Sequence, residues 1–125
     1  FISFCSSKNL KPLIYEFEHK PSNIQAVPKI FFADNKELIW YAGGNVNLTF
    51  AQISHRGIRS EDNEKYNHIR RVGYATGCCF CIRTSDFEAL GAFDENFQMY
   101  GEDVDLSLKA RRNGGNIAFI TKSQI

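Results

Sequence analysis

Two kinds of apolar spacing alternate along this chain, and their order most narrows its fold. Leu10, Leu13, Ile14 and Phe17 recur at helical spacing with Pro21 just beyond them, which predicts a helix over about residues 8–19. Ile24 to Ala33 is instead a β-branched and aromatic run. Asp34-Asn35-Lys36 closes it, and Leu38 to Ala42 is a second run. The pair predicts a hairpin that ends at the turn signal Gly43-Gly44. Residues 45–68 are polar and carry no clear period, a long connection of the kind that often carries function. Tyr74 to Arg83 predicts a strand. Thr84-Ser85-Asp86 caps a short helix over about 85–90, stopped by Gly91, and Phe93 to Gly101 is a loop. A helix over Glu102 to Asn113, stopped by Gly114-Gly115, and a strand over Asn116 to Thr121 follow. The short apolar stretch Phe1 to Ser7 fits a cut strand. This order means α/β or α+β.

With 125 residues the chain is one domain or part of one. Its 15 Lys and Arg against 14 Asp and Glu leave a net charge of +1, too balanced for a field that draws DNA, RNA or anionic lipid. Neither a transmembrane run nor a signal segment is visible, and the first residue is Phe1, as expected of a processed or excised chain. Cys5, Cys78, Cys79 and Cys81 are too few and too clustered for a disulfide scaffold. On a strand, Cys78 and Cys81 would point to opposite faces, so buried, reduced thiols and a cytosolic setting are expected rather than a zinc or redox site. The sequon Asn47-Leu48-Thr49 is set aside on that ground.

Five carboxylates, Asp94, Glu95, Glu102, Asp103 and Asp105, fall within twelve residues. A calcium loop fails, because Met99 stands where an EF-hand needs Gly and Asp105 where it needs Glu. Glu102, Asp103 and Asp105 in a first helical turn would complement the helix dipole, worth about 0.3–1 kcal/mol each. Against that plain reading, Gly101 lets backbone approach a ligand, and Phe93, Phe97 and Tyr100 would form an apolar platform that raises a carboxylate pKa. A carboxylate at such a junction suits a general base. Asp103 and Asp105 would also suit a divalent metal, although two residues apart on a helix they diverge by about 200°. His19, His55 and His68 are expected to be solvated, and no nucleophile motif accompanies them. Arg70-Arg71 and Arg111-Arg112 read as solvated faces.

Tyr74 to Arg83, then Phe87-Glu88-Ala89-Leu90-Gly91-Ala92-Phe93-Asp94-Glu95, then Tyr100-Gly101-Glu102-Asp103-Val104-Asp105-Leu106 through Gly114, resemble inverting family-two glycosyltransferases. The flavour is the bacterial rhamnosyltransferase-like branch. Pro28-Lys29-Ile30, Ile39-Trp40-Tyr41-Ala42-Gly43-Gly44 and His55-Arg56-Gly57 fit it too, so the resemblance runs from about Leu10 to Ile120. It implies an α/β fold, a partial GT-A (Rossmann-like) domain whose mixed sheet is flanked by helices. It covers the C-terminal, acceptor-side half, with residues 1–125 as a single unit.

On this resemblance Asp103 is the general base of an inverting transfer from a nucleotide-sugar donor, and Glu102 orients it or touches the acceptor. Thr76, Gly77, Asp94, Glu95, Tyr100, Gly101 and Trp40 lie on the acceptor side, as does Asp105, which also caps the helix. No residue here is assigned to metal. The family's divalent cation, Mg²⁺ or Mn²⁺, sits on an Asp-x-Asp, and Phe1 to Ser7 lacks one where it would stand. The donor would then be held by a missing N-terminal half, and the 125 residues alone would be inactive. The acceptor would be a saccharide or lipid-linked saccharide of cell-envelope polysaccharide biosynthesis. The setting would be cytoplasmic, with possible peripheral contact at the inner membrane face and self-association of an isolated half. The alternative reading is a non-catalytic carbohydrate-binding or interaction module. A phosphoryl-transfer site on Asp103 and Asp105 is a more distant third.

Overall fold

The computed structural model describes residues 6–98 and 100–125. Helix α1 (Ser7–His19) matches the spacing of its apolar residues. Strands β1 (Asn23–Phe31) and β2 (Ile39–Tyr41) form the expected antiparallel hairpin, with Ile30 opposite Tyr41 and Phe31 opposite Ile39. The last strand, β7 (Asn116–Gln124), runs parallel to β1 along its other edge, so everything between them is one crossover connection. Beyond β7 lies the two-residue β5 (Arg70–Arg71), antiparallel to it. The short β6 (Cys81–Ile82) pairs with Gln25 and Ala26 on the β2 side of β1. The sheet is therefore mixed. Pro28 lacks the N–H that a ladder needs, and the β1–β7 register shifts directly after it.

Strand β1 is buried along nearly its whole length because both of its faces are covered. On one face Ala26, Ala118 and Ile120 meet Leu13 of α1. Full burial of Leu13 is worth about 1.5–3 kcal/mol. On the other face Val27, Ile30, Ile39, Tyr41, Ile117 and Phe119 form the larger cluster. Arg83 ties the layers together. Its guanidinium donates to the carbonyls of Phe17 and Asn23 and to Asp86 Oδ2, each at 2.9 Å. It thereby satisfies a carbonyl at the end of α1 that the helix itself leaves unpaired.

The structure departs from the sequence-based expectations at four places. Residues 45–68 are not a structureless connection, since β3 (Gly44–Asn47) and β4 (Gln52–His55) form a second hairpin and a 3₁₀ turn spans Glu64–Tyr66. The fully buried Lys29 holds this region down, donating to Asp62 at 2.8 and 3.0 Å and to Asn67 at 2.5 Å. Tyr74 to Arg83 is not one strand, because Tyr74 makes an isolated bridge to Gly44 and pairing resumes only at β6. With no continuous strand, the opposite-face argument for Cys78 and Cys81 does not apply. The thiols are less covered than expected, with Cys78 exposed and Cys79 and Cys81 half-buried. His55 is half-buried rather than solvated. Cys5 and most of the stretch read as a cut strand lie outside the described residues, while Ser6 and Ser7 open α1. The helices α2 (Thr84–Ala89) and α3 (Glu102–Arg112) stand within a residue of their expected bounds.

Candidate functional site

The break at Tyr74 to Arg83 has its cause in α3. Ala75 N–H donates to Ser107 Oγ at 3.0 Å, and Gly77 N–H donates to Asp103 Oδ2 at 2.8 Å. Two residues of extended chain span about 6.6 Å, and one helical turn of four residues rises about 6 Å. The spacing of Asp103 and Ser107 therefore matches alternate N–H groups of the segment. These donors are spent on side chains rather than on a neighbouring strand. Cys78 N–H then closes a local turn onto Thr76 Oγ1 at 3.4 Å.

Gly101 precedes α3 with φ of 97°, left-handed backbone that suits glycine. It has no side chain to cap the helix. Asp103 Oδ1 instead accepts Val104 N–H at 2.8 Å. Both oxygens of Asp103 are thus held by backbone N–H groups, one from its own helix and one from the facing turn. The carboxylate orientation is fixed while each oxygen keeps a further lone pair. A Cβ on Gly77 would lie 3.4 Å from Asp103 Oδ2, so the turn lies close against the carboxylate.

Asp103 opens into a cavity of about 520 Å³. Glu102, Gly101, Tyr100, Thr76, Gly77 and Trp40 line it with Asp103, so seven of the sequence-derived site residues share one wall system. Asp94, Glu95 and Asp105 do not line it. Asp94 Oδ1 accepts from Asn96 N–H and Nδ2 at 2.9 and 2.8 Å, a local turn contact. Asp105 is 2.7 Å from Lys109 Nζ, one turn along α3. The aromatic platform around the acids does not form. Phe93 packs against Phe80 and Phe87, Phe97 sits beside Gly101, and Tyr100 is 84% exposed at the cavity mouth. One oxygen of Glu102, Oε2, is buried without a hydrogen-bond partner, an acceptor that a bound hydroxyl would satisfy.

Residues missed at the level of sequence complete the cavity: His55, Tyr74, Ile53, Cys78 and Val104. His55 meets the Trp40 ring edge-on at 4.6 Å and lies near Tyr41 and Tyr74. Its Nδ1 is 3.2 Å from the Trp40 carbonyl, which only accepts, so Nδ1 carries a hydrogen and donates it there. Burial, then the charge of Asp103, then Cys78 push the Tyr74 hydroxyl well above the ordinary tyrosine range. It stays protonated at any physiological pH and serves as a donor. Partial burial raises the Cys78 thiol, with Asp103 adding a smaller push in the same direction, so the thiol is a poor nucleophile at neutral pH. The site holds the oriented Asp103 carboxylate beside that of Glu102 and the Tyr74 hydroxyl, an arrangement suited to accepting a proton from a bound hydroxyl.

The residues present do not fit a divalent cation. Among the described residues no group of three His, Cys, Asp or Glu side chains converges on one point. Asp105 is engaged by Lys109 and does not line the cavity, so it does not converge with Asp103 on one point.

A solved structure described as GalNAc-T7 with UDP, GalNAc and Mn²⁺ superposes on 96% of this chain and 24% of its own, with a TM-score of 0.67 and 20% identity. The chain has the fold of part of a GT-A glycosyltransferase domain. In sequence it is 36% identical over 56 residues to the N-acetylglucosaminyl-diphospho-decaprenol L-rhamnosyltransferase of Mycobacterium tuberculosis, 45% of this chain and 18% of that protein. It is 38% identical over 53 residues to the low-salt glycan biosynthesis hexosyltransferase Agl10 of Haloferax volcanii, 42% of this chain and 17% of that one. The O-antigen biosynthesis protein RfbC of Myxococcus xanthus is 36% identical over 50 residues, 40% of this chain and 4% of its own length. The chain thus spans less than a fifth of the length of these curated relatives. No family model matches it. Among the described residues no helix is long and apolar enough to cross a membrane.

Proposed function

We propose that this chain is the acceptor-side part of an inverting glycosyltransferase domain and that Asp103 is its general base. The observation that carries the reading is the Asp103 carboxylate, clamped by the N–H groups of Gly77 and Val104 at 2.8 Å each and opening into the cavity. The acceptor is a saccharide, free or lipid-linked, lying against Trp40, Tyr100 and the Thr76–Gly77 turn. One acceptor hydroxyl gives its proton to Asp103 as its oxygen attacks the anomeric carbon. The C–O bond to the acceptor forms as the bond to the nucleotide diphosphate breaks, and that electron pair leaves with the phosphate. A single displacement inverts the anomeric centre. Oε2 of Glu102 accepts a second acceptor hydroxyl, and the neutral Tyr74 donates. A positioned base of this kind supplies about 10²–10⁴-fold.

The nucleotide-sugar donor, with any Mg²⁺ or Mn²⁺ on its diphosphate, is held by residues outside this chain. The relatives named for rhamnosyl and hexosyl transfer support a hexose or deoxyhexose donor in envelope glycan assembly. The proposed setting is the cytoplasm, at the inner membrane face. Asp103→Asn keeps the shape and loses the base. Transfer by the protein should fall at least a hundredfold, while acceptor saccharide binding and nucleotide binding persist. Turnover within threefold of the parent would remove Asp103 from the chemistry. Sugar binding with no transfer by the parent under any donor would instead favour a carbohydrate-binding module.

A further inference from the structure

The β3–β4 hairpin has two unlike faces. Ile53 and His55 line the Asp103 cavity, and Gln52 and Ser54, one residue out of step, line a different one with Asn45 and Asn47. That second cavity, about 480 Å³, is continuous with a third of about 500 Å³ through Asn45, Val46 and Arg111. Arg71 of β5 and Arg111 of α3 both line the third. Neither guanidinium has an ion-pair partner among the described residues, and no carboxylate lines either cavity. Arg71 also borders a neighbouring cavity that includes Glu16, whose Oε1 accepts from Lys20 at 3.0 Å and from Asn23 at 2.9 Å and which forms no ion pair with Arg71. Arg111 spends one N–H on the Gly73 carbonyl at 3.3 Å, and its other donors remain.

At the arginine end of the groove the N–H groups of Gly73, Gly114, Gly115 and Asn116 are already used, on Gly44, Arg111, Ala110 and Ser22, so recognition there falls to the side chains. Two unneutralised guanidinium groups suit a planar carboxylate or a phosphate. The adjoining row of two asparagines, a glutamine and a serine suits a ligand rich in hydroxyls. An anionic group and a run of hydroxyls on one molecule describe an acidic saccharide.

We propose that the groove between the β3–β4 hairpin and α3 binds an acidic oligosaccharide. Its charged sugar lies at Arg71 and Arg111, and its neighbouring hydroxyls lie on Asn45, Asn47, Gln52 and Ser54. Arg111 is eight residues along α3 from Asp103, about 12 Å on the helical rise. The groove is thus separate from the Asp103 cavity: the β3–β4 hairpin and α3 border both, but no residue lines both. The inference stands whether or not Asp103 acts as a base.

The test is direct binding to the protein by calorimetry or NMR, with tetragalacturonate, maltotetraose and inorganic phosphate as probes. Tetragalacturonate should bind at least tenfold more tightly than either of the others. Arg71→Gln and Arg111→Gln should each weaken it at least tenfold, and Gln52→Ala about threefold. These side chains are exposed, so the fold should persist, and Asp103→Asn should leave tetragalacturonate binding unchanged. Phosphate as tight as tetragalacturonate would reduce the groove to a bare anion site, and maltotetraose as tight would remove the arginines from recognition. Either result, or no tetragalacturonate binding at 10 mM, or binding indifferent to Arg111→Gln, overturns the proposal.

Discussion

Asp62→Ala should destabilise this protein more than Lys29→Met, although the two remove opposite ends of the same ion pair. The Lys29 side chain is 0% exposed and that of Asp62 is 28% exposed. All three ammonium hydrogens have acceptors, two on Asp62 and one on Asn67. Removing the carboxylate strands a charge in the interior with one neutral acceptor, a loss of about 3–5 kcal/mol. Replacing Lys29 by Met keeps the buried volume and frees a carboxylate that already reaches water, a loss of about 0–2 kcal/mol. In the Lys29→Met background Asp62→Ala should then cost under about 1 kcal/mol, because no stranded charge remains. The double-mutant cycle should therefore show a coupling of at least about 2 kcal/mol. Urea denaturation of the four proteins gives the cycle. Hydrogen exchange should locate the loss in the segment around Asp62 and Asn67 that Lys29 pins to β1. Equal single-mutant losses that simply add would refute the reasoning, since they would mean that the pair behaves as if both partners were solvated.

Gly44→Ala should be far worse than Gly77→Ala. A Cβ at Gly44 would lie 2.1 Å from the Tyr74 ring, whereas one at Gly77 meets nothing closer than 3.4 Å. Thermal unfolding should show a loss of at least about 2 kcal/mol for the first and under about 1 for the second. Alkaline stability should be governed in part by Tyr41 and Tyr74. Burial raises both hydroxyls, so above about pH 10 the folded chain holds protons that the unfolded chain releases. Stability is then full below pH 10 and falls above it, by up to about 1.4 kcal/mol per pH unit for each group. Tyr41→Phe should make that fall shallower in denaturant titrations from pH 9 to 11. It should also cost about 1–3 kcal/mol at pH 7, because the Tyr74 carbonyl loses the hydroxyl that donates to it at 2.5 Å. Iodoacetamide should modify Cys78 more slowly than glutathione at pH 8, as followed by peptide mass spectrometry. Asp103→Asn should speed that reaction by removing a nearby negative charge.

What could be read from the sequence divides by the range of the forces involved. Helix α1 is legible because its apolar residues face one partner layer at helical spacing, and strand β1 because both of its faces are covered, which makes its apolar run nearly continuous. The β3–β4 hairpin does alternate, Asn45-Val46-Asn47 and Gln52-Ile53-Ser54-His55, but each strand is four residues long and one inward position is a histidine. Four residues are too few to separate a period from chance, and counting His55 as polar erased the little that was there. The failure at Tyr74 to Arg83 is of another kind. Nothing within that segment opposes a strand. Its N–H groups are drawn away by Asp103 and Ser107, 26 and 32 residues further on, and only the three-dimensional approach of α3 shows it.

That same approach separates the acids. Glu95, Glu102, Asp103 and Asp105 look alike in the sequence, and the helix dipole would favour any of the three in the first turn of α3. The difference lies in what each carboxylate meets. Asp105 meets Lys109 on its own helix, a pairing that neutralises it and needs no cleft. Asp103 meets two backbone N–H groups, which orient it without placing a cation beside it. Asp105 has its charge countered by Lys109 away from the cavity, while Asp103 is oriented by amide dipoles on the cavity wall, where a bound hydroxyl can reach it. The candidate base therefore follows from the strand that fails to form: the pairing lost between Tyr74 and β6 is what gives Gly77 an N–H to donate.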